Sequence, residues 1–499
     1  MPIRLPLSPF AALVFSGAML AGCATVGPDY VRPDVPTVQD YTAPSDPQER
    51  VAGAPQTLPG EGPEQRWWEV FGSAELNALV DRAIANNYSL QASNATLARA
   101  RDRLRAVAGQ QLPQVDANAR AEQQQANLAA FGFELGAMPG LTSNPEFDLY
   151  SVGGGIFYDL DLFGGLRRQV EQAAAETEAQ QRQTEAAHLT VAGRVVNQVL
   201  TIAAIREQIA TANALLSEDE RNVALSEARQ RAGEGTMVEV LNAQSQLAND
   251  RGDIPQLNQQ LAEARHMLAI LVGITPAELG PTDFDINKLT LPTEIPVTLP
   301  SALVHKRPDI LQAEADLHAA TAAVGVATAR LYPDITLGAT LTQGAPAVDD
   351  VLKGAFRGYD IFAGLTAPIF HGGTLKAEKS AAINQARAAA ATYQQTVLDA
   401  FGQVADLLAA IQSDARSVSN RQEAVDVAGR SLHLSRRSFQ VGNSGILQVL
   451  ESDRLYQRAR SGLVDARARQ YINVARLYVA TAGGWTGPDP SATASIANQ

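Results

Sequence analysis

Two stretches of this chain carry an apolar residue at every seventh position, for longer than a globular helix needs. In 375–454 the repeat reads Val397, Val404, Ile411, Val418, Val425, Leu432, Phe439, with no proline to interrupt it. A strict seven-residue repeat imposes a left-handed supercoil on packed helices. About 65 residues at 1.5 Å each make a rod of roughly 100 Å, several times an ordinary helix. The rod turns at Val441-Gly442-Asn443-Ser444-Gly445 and starts back. Shifted by about 209 positions, the repeat recurs as Val195, Ile202, Ile209, Leu216, Val223, and the turn as Arg231-Ala232-Gly233-Glu234-Gly235. Val240-Leu241 answers Val449-Leu450. The chain therefore encodes a helix–turn–helix rod twice. The return segments, 238–272 and 446–481, are shorter than the descending ones, so helices starting near Ser89 and Asp309 are expected to continue each column.

Ahead of each rod the period changes from helical to two. Val115, Ala117, Ala119 and Ala121 alternate with Asp116, Asn118, Arg120 and Glu122. Val152, Gly154, Ile156, Tyr158 and Leu160 alternate with Ser151, Gly153, Gly155, Phe157 and Asp159. In the second copy Ile335, Leu337, Ala339 and Leu341 alternate with Thr336, Gly338, Thr340 and Thr342. Then Ile361, Ala363, Leu365, Ala367 and Ile369 alternate with Phe362, Gly364 and Thr366. Strands of about ten residues, apolar on one face, are the signature of a transmembrane β-barrel. A half-buried soluble sheet gives the same pattern strand by strand; its fourfold recurrence favours the membrane. Four strands cannot close a barrel in lipid, because open edges leave backbone groups unpaired in hydrocarbon. Membrane-spanning strands here require several chains to share one barrel.

The N-terminal segment points to export. Arg4 precedes a short apolar run, 11–20, that ends at Leu20-Ala21-Gly22-Cys23. The run is too short to span as a mature helix and reads as a signal peptide. Cys23, the only cysteine, sits where a bacterial lipobox places the lipidated residue, and excludes any intramolecular disulfide. Ala24 after it, rather than Asp, permits delivery to the outer membrane. Residues 27–63 are proline-rich and read as an extended strap, while Trp67-Trp68 and Phe71 read as packing anchors. The formal charge of -13, with no basic cluster, argues against nucleic acid. His188, His266, His305, His318, His371 and His433 form no metal-ligand spacing, and neither a phosphate loop nor a nucleophile elbow is present. The expectation is no enzyme, and no cofactor beyond a covalent lipid on Cys23.

These features resemble a known family, the outer-membrane factors of tripartite efflux systems. The chain is similar to TolC-like channels, and most to the lipoprotein (NodT/OprM) subgroup that serves RND pumps. The resemblance spans nearly all of the chain after the signal. It rests on Cys23-Ala24-Thr25-Val26-Gly27-Pro28-Asp29-Tyr30, Trp67-Trp68 with Phe71, Asp161-Leu162-Phe163-Gly164-Gly165, Arg307-Pro308-Asp309-Ile310 and Gly483-Gly484-Trp485. It implies an α+β membrane protein, internally duplicated. Three chains would contribute four strands each to one 12-stranded β-barrel above a long periplasmic α-helical barrel of coiled-coil hairpins. The implied partners are a homotrimer, a periplasmic adaptor, an inner-membrane RND pump and outer-membrane lipid. The implied location is the outer membrane, lipid-anchored and barrel-inserted, reaching into the periplasm.

The resemblance also places a gate and contact points. Leu447, Glu451 and Arg454 match an apolar ring and a carboxylate–arginine latch at the periplasmic tip, whereas a second acidic position is Gln448 here. An intrahelical surface pair is the plain alternative for Glu451 and Arg454. Asp453 reads as a solvated neighbour. Gly233, Gly235, Gly442 and Gly445 match the adaptor-contact tips; a simple helix stop explains them equally. The expected organisation is 1–22 signal peptide, 23–66 strap, 67–280 first repeat, 281–300 connector, 301–485 second repeat and 486–499 tail. The expected function is a passive outer-membrane efflux channel for small molecules. A type I protein-secretion channel and a non-conducting periplasmic scaffold lipoprotein remain as alternatives.

Overall fold

The computed structural model describes residues 25–34, 38–42, 53–60, 62–125, 146–280, 282–353 and 357–483. The signal peptide, Cys23, the 127–145 loop, Gly484-Trp485 and the tail lie outside the described residues. In chain order the elements are β1 (Gln56–Gly60), a 3-10 turn (Trp67–Phe71), α1 (Ala74–Asn86), α2 (Tyr88–Gly109), β2 (Gln114–Gln125), β3 (Glu146–Asp159), α3 (Gly165–Arg231) and α4 (Met237–Val272). The second half runs β4 (Glu294–Thr298), α5 (Pro300–Lys306), α6 (Pro308–Ala329), β5 (Asp334–Ala345), β6 (Arg357–Thr366), α7 (Thr374–Gln440) and α8 (Ile446–Thr481). The duplication is metrical. The descending helices α3 and α7 both have 67 residues, the return helices α4 and α8 both 36, and α2 and α6 both 22.

Two compact units divide the chain. One comprises Met1–Arg32, Ala98–Glu178 and Ala315–Ala391; the other comprises Pro33–Leu97, Ala179–Glu314 and Thr392–Gln499.

The first unit holds an antiparallel sheet in the order β2-β3-β5-β6. Its register aligns the alternating patterns of all four strands. Val115 lies opposite Ile156, Ile156 opposite Ala339 and Ala339 opposite Ile361. One row along, Asp116, Gly155, Thr340 and Asp360 line up. Directly paired residues share a face, so one face carries an apolar band that gives way to Gln123, Asp148, Gln343 and Arg357 at one end, and the other is mostly polar and small. The apolar face is unburied: Val115 is 74% exposed and Ile361 77%. The polar face carries one aromatic crossing. The rings of Phe157 and Phe362 meet at 6.4 Å above Gly338, where an added Cβ would sit 2.4 Å from Phe362. β2 and β6 are the free edges. Ala367 and Ile369, expected in the last strand, fall beyond it; Thr366 ends β6, and Pro368, which lacks an N–H, cannot extend the ladder.

The strap begins in the same unit. The Val26 N–H donates to the Phe163 carbonyl at 3.1 Å. Arg168, with its side chain 4% exposed, donates to Asp29 at 2.6 Å, to Glu171 at 2.7 Å and to the Val26 carbonyl at 3.3 Å. Tyr30 stacks on His318 at 4.3 Å, and His318 Nε2 lies 3.1 Å from Glu171.

The second unit holds the principal core. Trp67 and Trp68 are buried anchors, Trp67 stacked on Tyr478 at 5.7 Å, and Phe71 packs beside Tyr471. Residues 191–205 of α3, 404–411 of α7 and the ends of α4 and α8 close around them. The helices expected to continue each column do so through side-chain clamps. Buried Asn87 donates from Nδ2 to the Leu271 carbonyl near the end of α4, while its Oδ1 accepts from the N–H groups of Ser89 and Leu90 at the start of α2. Arg307 donates to the Ala480 carbonyl near the end of α8 and pairs with Asp309 at the start of α6. One element departs from the sequence reading. The proline-rich strap and the connector both contain a strand, and β1 pairs with β4 in parallel from Gln56–Glu294 to Gly60–Thr298. Short strands that include Pro59 and Pro296 show no alternation, so only a long-range pairing reveals them.

Candidate functional site

Both hairpins turn with the same hydrogen bonds. Gly233 N–H donates to Gln230 O and Glu234 N–H to Arg229 O; Gly442 N–H donates to Phe439 O and Asn443 N–H to Ser438 O. Gly233 (φ 77°) and Gly442 (φ 80°) adopt the left-handed conformation that closes this cap. Gly235 and Gly445 do not: neither has positive φ, and Gly445 (φ -80°) is the N-cap residue of α8.

The starts of the two return helices differ. α4 begins with a complete capping box, in which Thr236 and Glu239 satisfy each other's backbone N–H groups. At the matching positions α8 has Gly445 and Gln448, and no side chain caps it. The helix that carries the candidate gate thus has the weaker first turn.

Beneath the second turn Leu432, Phe439, Ile446 and Val449 form a small core, and the Arg229 guanidinium lies 4.3 Å over the Phe439 ring. Ile446, Val449, Ser452 and Asp453 are the buried face of α8. Leu447, Glu451 and Arg454 lie on the opposite, exposed stripe, at the four- and three-residue spacing of one helix face. Leu447 is 56% exposed, and Glu451 and Arg454 pair at 3.4 Å with both side chains largely in solvent. Within one chain this pair is a surface ion pair worth little by itself.

Asp453 corrects the sequence reading. It is 2% exposed rather than solvated. It belongs to a cluster that joins the two hairpins. Arg436 on α7 reaches Glu218 on α3 at 2.7 Å and Asp453 on α8 at 3.4 Å. Asp219, 1% exposed, faces Asp250 on α4. Burial, then the Asp250 carboxyl, push the Asp219 pKa up to about 8. Burial also raises Asp453, with Arg436 pulling the other way. These acids border a cavity of about 660 Å³ between α3, α4 and α8, which Arg454 and Arg458 also line. One signal in the sequence could have found them. Asp219 falls between Leu216 and Val223 at a position where the heptad calls for an apolar residue, and the second copy has Ala428 there.

The comparisons with known proteins agree with this architecture. The pattern of the family described as "Outer membrane efflux protein" matches residues 79–274 and 299–483. The pyoverdine export outer membrane protein OpmQ of Pseudomonas aeruginosa is 32% identical over 421 residues, covering 84% of this chain and 88% of OpmQ. Nodulation protein T of Rhizobium leguminosarum bv. viciae is 28% identical over 94% of this chain and 92% of its own length. Among solved structures, the outer-membrane channel OprN superposes with a TM-score of 0.81 at 26% identity, covering 93% of this chain and all of that one. The open state of the Neisseria gonorrhoeae MtrE outer membrane channel gives 0.79 at 25% identity, covering 92% and 98%. The family consists of channels, not enzymes. The chain belongs to the outer membrane efflux protein family and is an efflux channel of the outer membrane.

Proposed function

We propose that three copies of the chain close one twelve-stranded barrel, and that the duct so formed carries small molecules from an RND pump, through a periplasmic adaptor, to the exterior. The observation that carries this reading is the four-stranded sheet. Its apolar band suits a bilayer, but its two open edges are not tolerable there unless β2 of one copy pairs with β6 of the next. The mostly polar face then lines the lumen. Lipid on Cys23 fits the same arrangement, since Thr25 and Val26 lie against the turn between β3 and α3, at the membrane end of the rods. With this reading goes the organisation into signal peptide (1–22), strap (23–66), repeats (67–280 and 301–485), connector (281–300) and tail (486–499).

At the other end of the rods, the turns carrying Gly233, Gly235, Gly442 and Gly445 contact the adaptor. Leu447, Glu451 and Arg454 form the gate. Their exposed stripe on a weakly capped helix supports that role: the side chains are free to meet a symmetry mate, and the segment costs little to move. Three Glu451 carboxylates around one axis would also favour cations. The likeness to OpmQ, a pyoverdine exporter by name, favours small molecules over proteins as cargo.

The test is single-channel conductance of the purified protein in a planar bilayer, beside a Glu451→Ala, Arg454→Ala variant. A small wild-type conductance that rises in the variant supports pore and latch. Equal, large conductance in both removes the gate; a solubilised monomer removes the shared barrel.

A further inference from the structure

We propose that Asp219 and Asp250 share a proton and act as a proton-operated clasp, holding the two arms of the first hairpin together beside Asp453 of the second, below the turns, and releasing them when the proton leaves. For its effect on conduction the clasp rests on the gate reading above; its existence does not.

The clasp sits where the hairpins are tied together. Asp219 is on α3, Asp250 on α4, and Asp453 on α8 faces both, while Arg436 of α7 bridges Glu218 and Asp453. Asp219 Oδ2 is buried and has no hydrogen-bond partner among the described residues. A buried carboxylate left so is costly, whereas a neutral carboxylic acid can donate to a facing carboxylate. The cations nearby are committed elsewhere. Arg436 serves Glu218 and Asp453, Arg221 serves Glu218, Arg251 serves Glu220 and Arg454 serves Glu451. Arg458 is exposed at the cavity rim, which Asp253 of α4 also lines. Asp250 accepts from the Gln246 amide at 2.7 Å, which holds its carboxylate toward the cluster.

A single proton neutralises the pair, since a protonated Asp219 can donate to the facing Asp250 carboxylate. Two further features allow the cluster to move. The 660 Å³ cavity gives the helices room to adjust and water a path to the acids. Pro255 lies inside α4, five residues past Asp250, and leaves the Arg251 carbonyl without its helical partner. The second copy has Val464 at that place.

The direction follows from the raised pKa of Asp219. Its protonated form is favoured in the closed arrangement, so the stabilisation is complete below the ordinary carboxyl range near pH 4 and is lost as pH rises through about 8. Above that, Asp219, Asp250 and Asp453 are like charges in a poorly solvated site and push α3 away from α4 and α8.

The experiment is hydrogen exchange of the full-length protein in lipid nanodiscs between pH 5.5 and 9.5, corrected for the intrinsic pH dependence of exchange. The probes are the segments 208–222, 246–260 and 450–461, and conductance is recorded over the same range. Wild type is expected to lose protection in all three segments with a midpoint near pH 8. Asp219→Asn, neutral at every pH and nearly isosteric, is expected to stay protected at pH 9.5. Asp250→Asn is expected to move the midpoint down by at least one unit, because the facing negative charge is gone. A wild-type profile flat across the range overturns the clasp, as does an Asp219→Asn profile that matches wild type. Should Asp219→Asn fail to fold, an unmoved midpoint in Asp250→Asn overturns it alone. Exchange that follows pH beside a conductance that does not supports the clasp and overturns the placement of the gate.

Discussion

Replacing Arg168 with Met should loosen the strap that follows Cys23. The side chain is 4% exposed and donates to three acceptors. The bond to Glu171 at 2.7 Å joins two residues of α3 and stays made when the strap lifts, so it does not enter the sum. The bond to Asp29 is shorter, but the Asp29 side chain is 85% exposed, which limits it to about 1 kcal/mol or less. The longer contact to the Val26 carbonyl adds a few tenths. Met fills the aliphatic volume, so the change isolates the polar part. Together the two strap contacts are worth about 1 kcal/mol, a roughly fivefold rise in strap opening when they are lost. The reporter is the Val26 amide, which donates to Phe163 O and exchanges only when the strap lifts. Exchange at Val26 within threefold of wild type would refute the claim that Arg168 holds the strap. It would leave the Tyr30–His318 stack as the holding contact.

Three further outcomes follow from the geometry. Gly445→Thr with Gln448→Glu copies the capping box of α4 onto α8 and should stabilise its first turn by about 0.5–1 kcal/mol; slower exchange at Val449 and Leu450 and a lower open probability would show it, and unchanged exchange would count against the cap. Trp67→Ala removes a fully buried ring stacked on Tyr478 and should cost about 3–5 kcal/mol in urea denaturation of the assembled protein; a loss under 1 kcal/mol would remove Trp67 as an anchor. Gly338→Val places side-chain atoms where the Phe362 ring lies and should lower the yield of inserted channel. An undiminished yield would mean that the aromatic crossing is free to rearrange.

The parts of the fold that the sequence revealed are those governed by local period. The heptads from Val195 to Val223 and from Val397 to Phe439 define α3 and α7, and Gly233 and Gly442 mark their ends. Alternation found β2, β3, β5 and β6, because each has one face set by a single environment over the apolar part of its length. The β1–β4 pair escaped because parallel pairing of five-residue strands some 240 positions apart leaves no local trace. The exposed stripe of Leu447, Glu451 and Arg454 was accessible through resemblance and helical spacing. Burial of Asp219 and Asp453 was not, since it depends on which helix of the other hairpin covers them. A reading of polarity against heptad position would have singled out Asp219 but not its partner Asp250.

The open sheet has a consequence for how channels come into being. With three-chain closure, no single copy can insert its strands favourably, so insertion and assembly are one kinetic event. Such an event depends on a higher than first power of subunit density, and dilute chains stall before the bilayer rather than puncturing it. An acyl chain on Cys23 would confine waiting chains to one leaflet, raising their encounter rate without any new contact between them. The lipid would then serve a construction step: it is needed while the barrel is being completed and dispensable once it has closed. Chains lacking it should build the same channel, later and in smaller number.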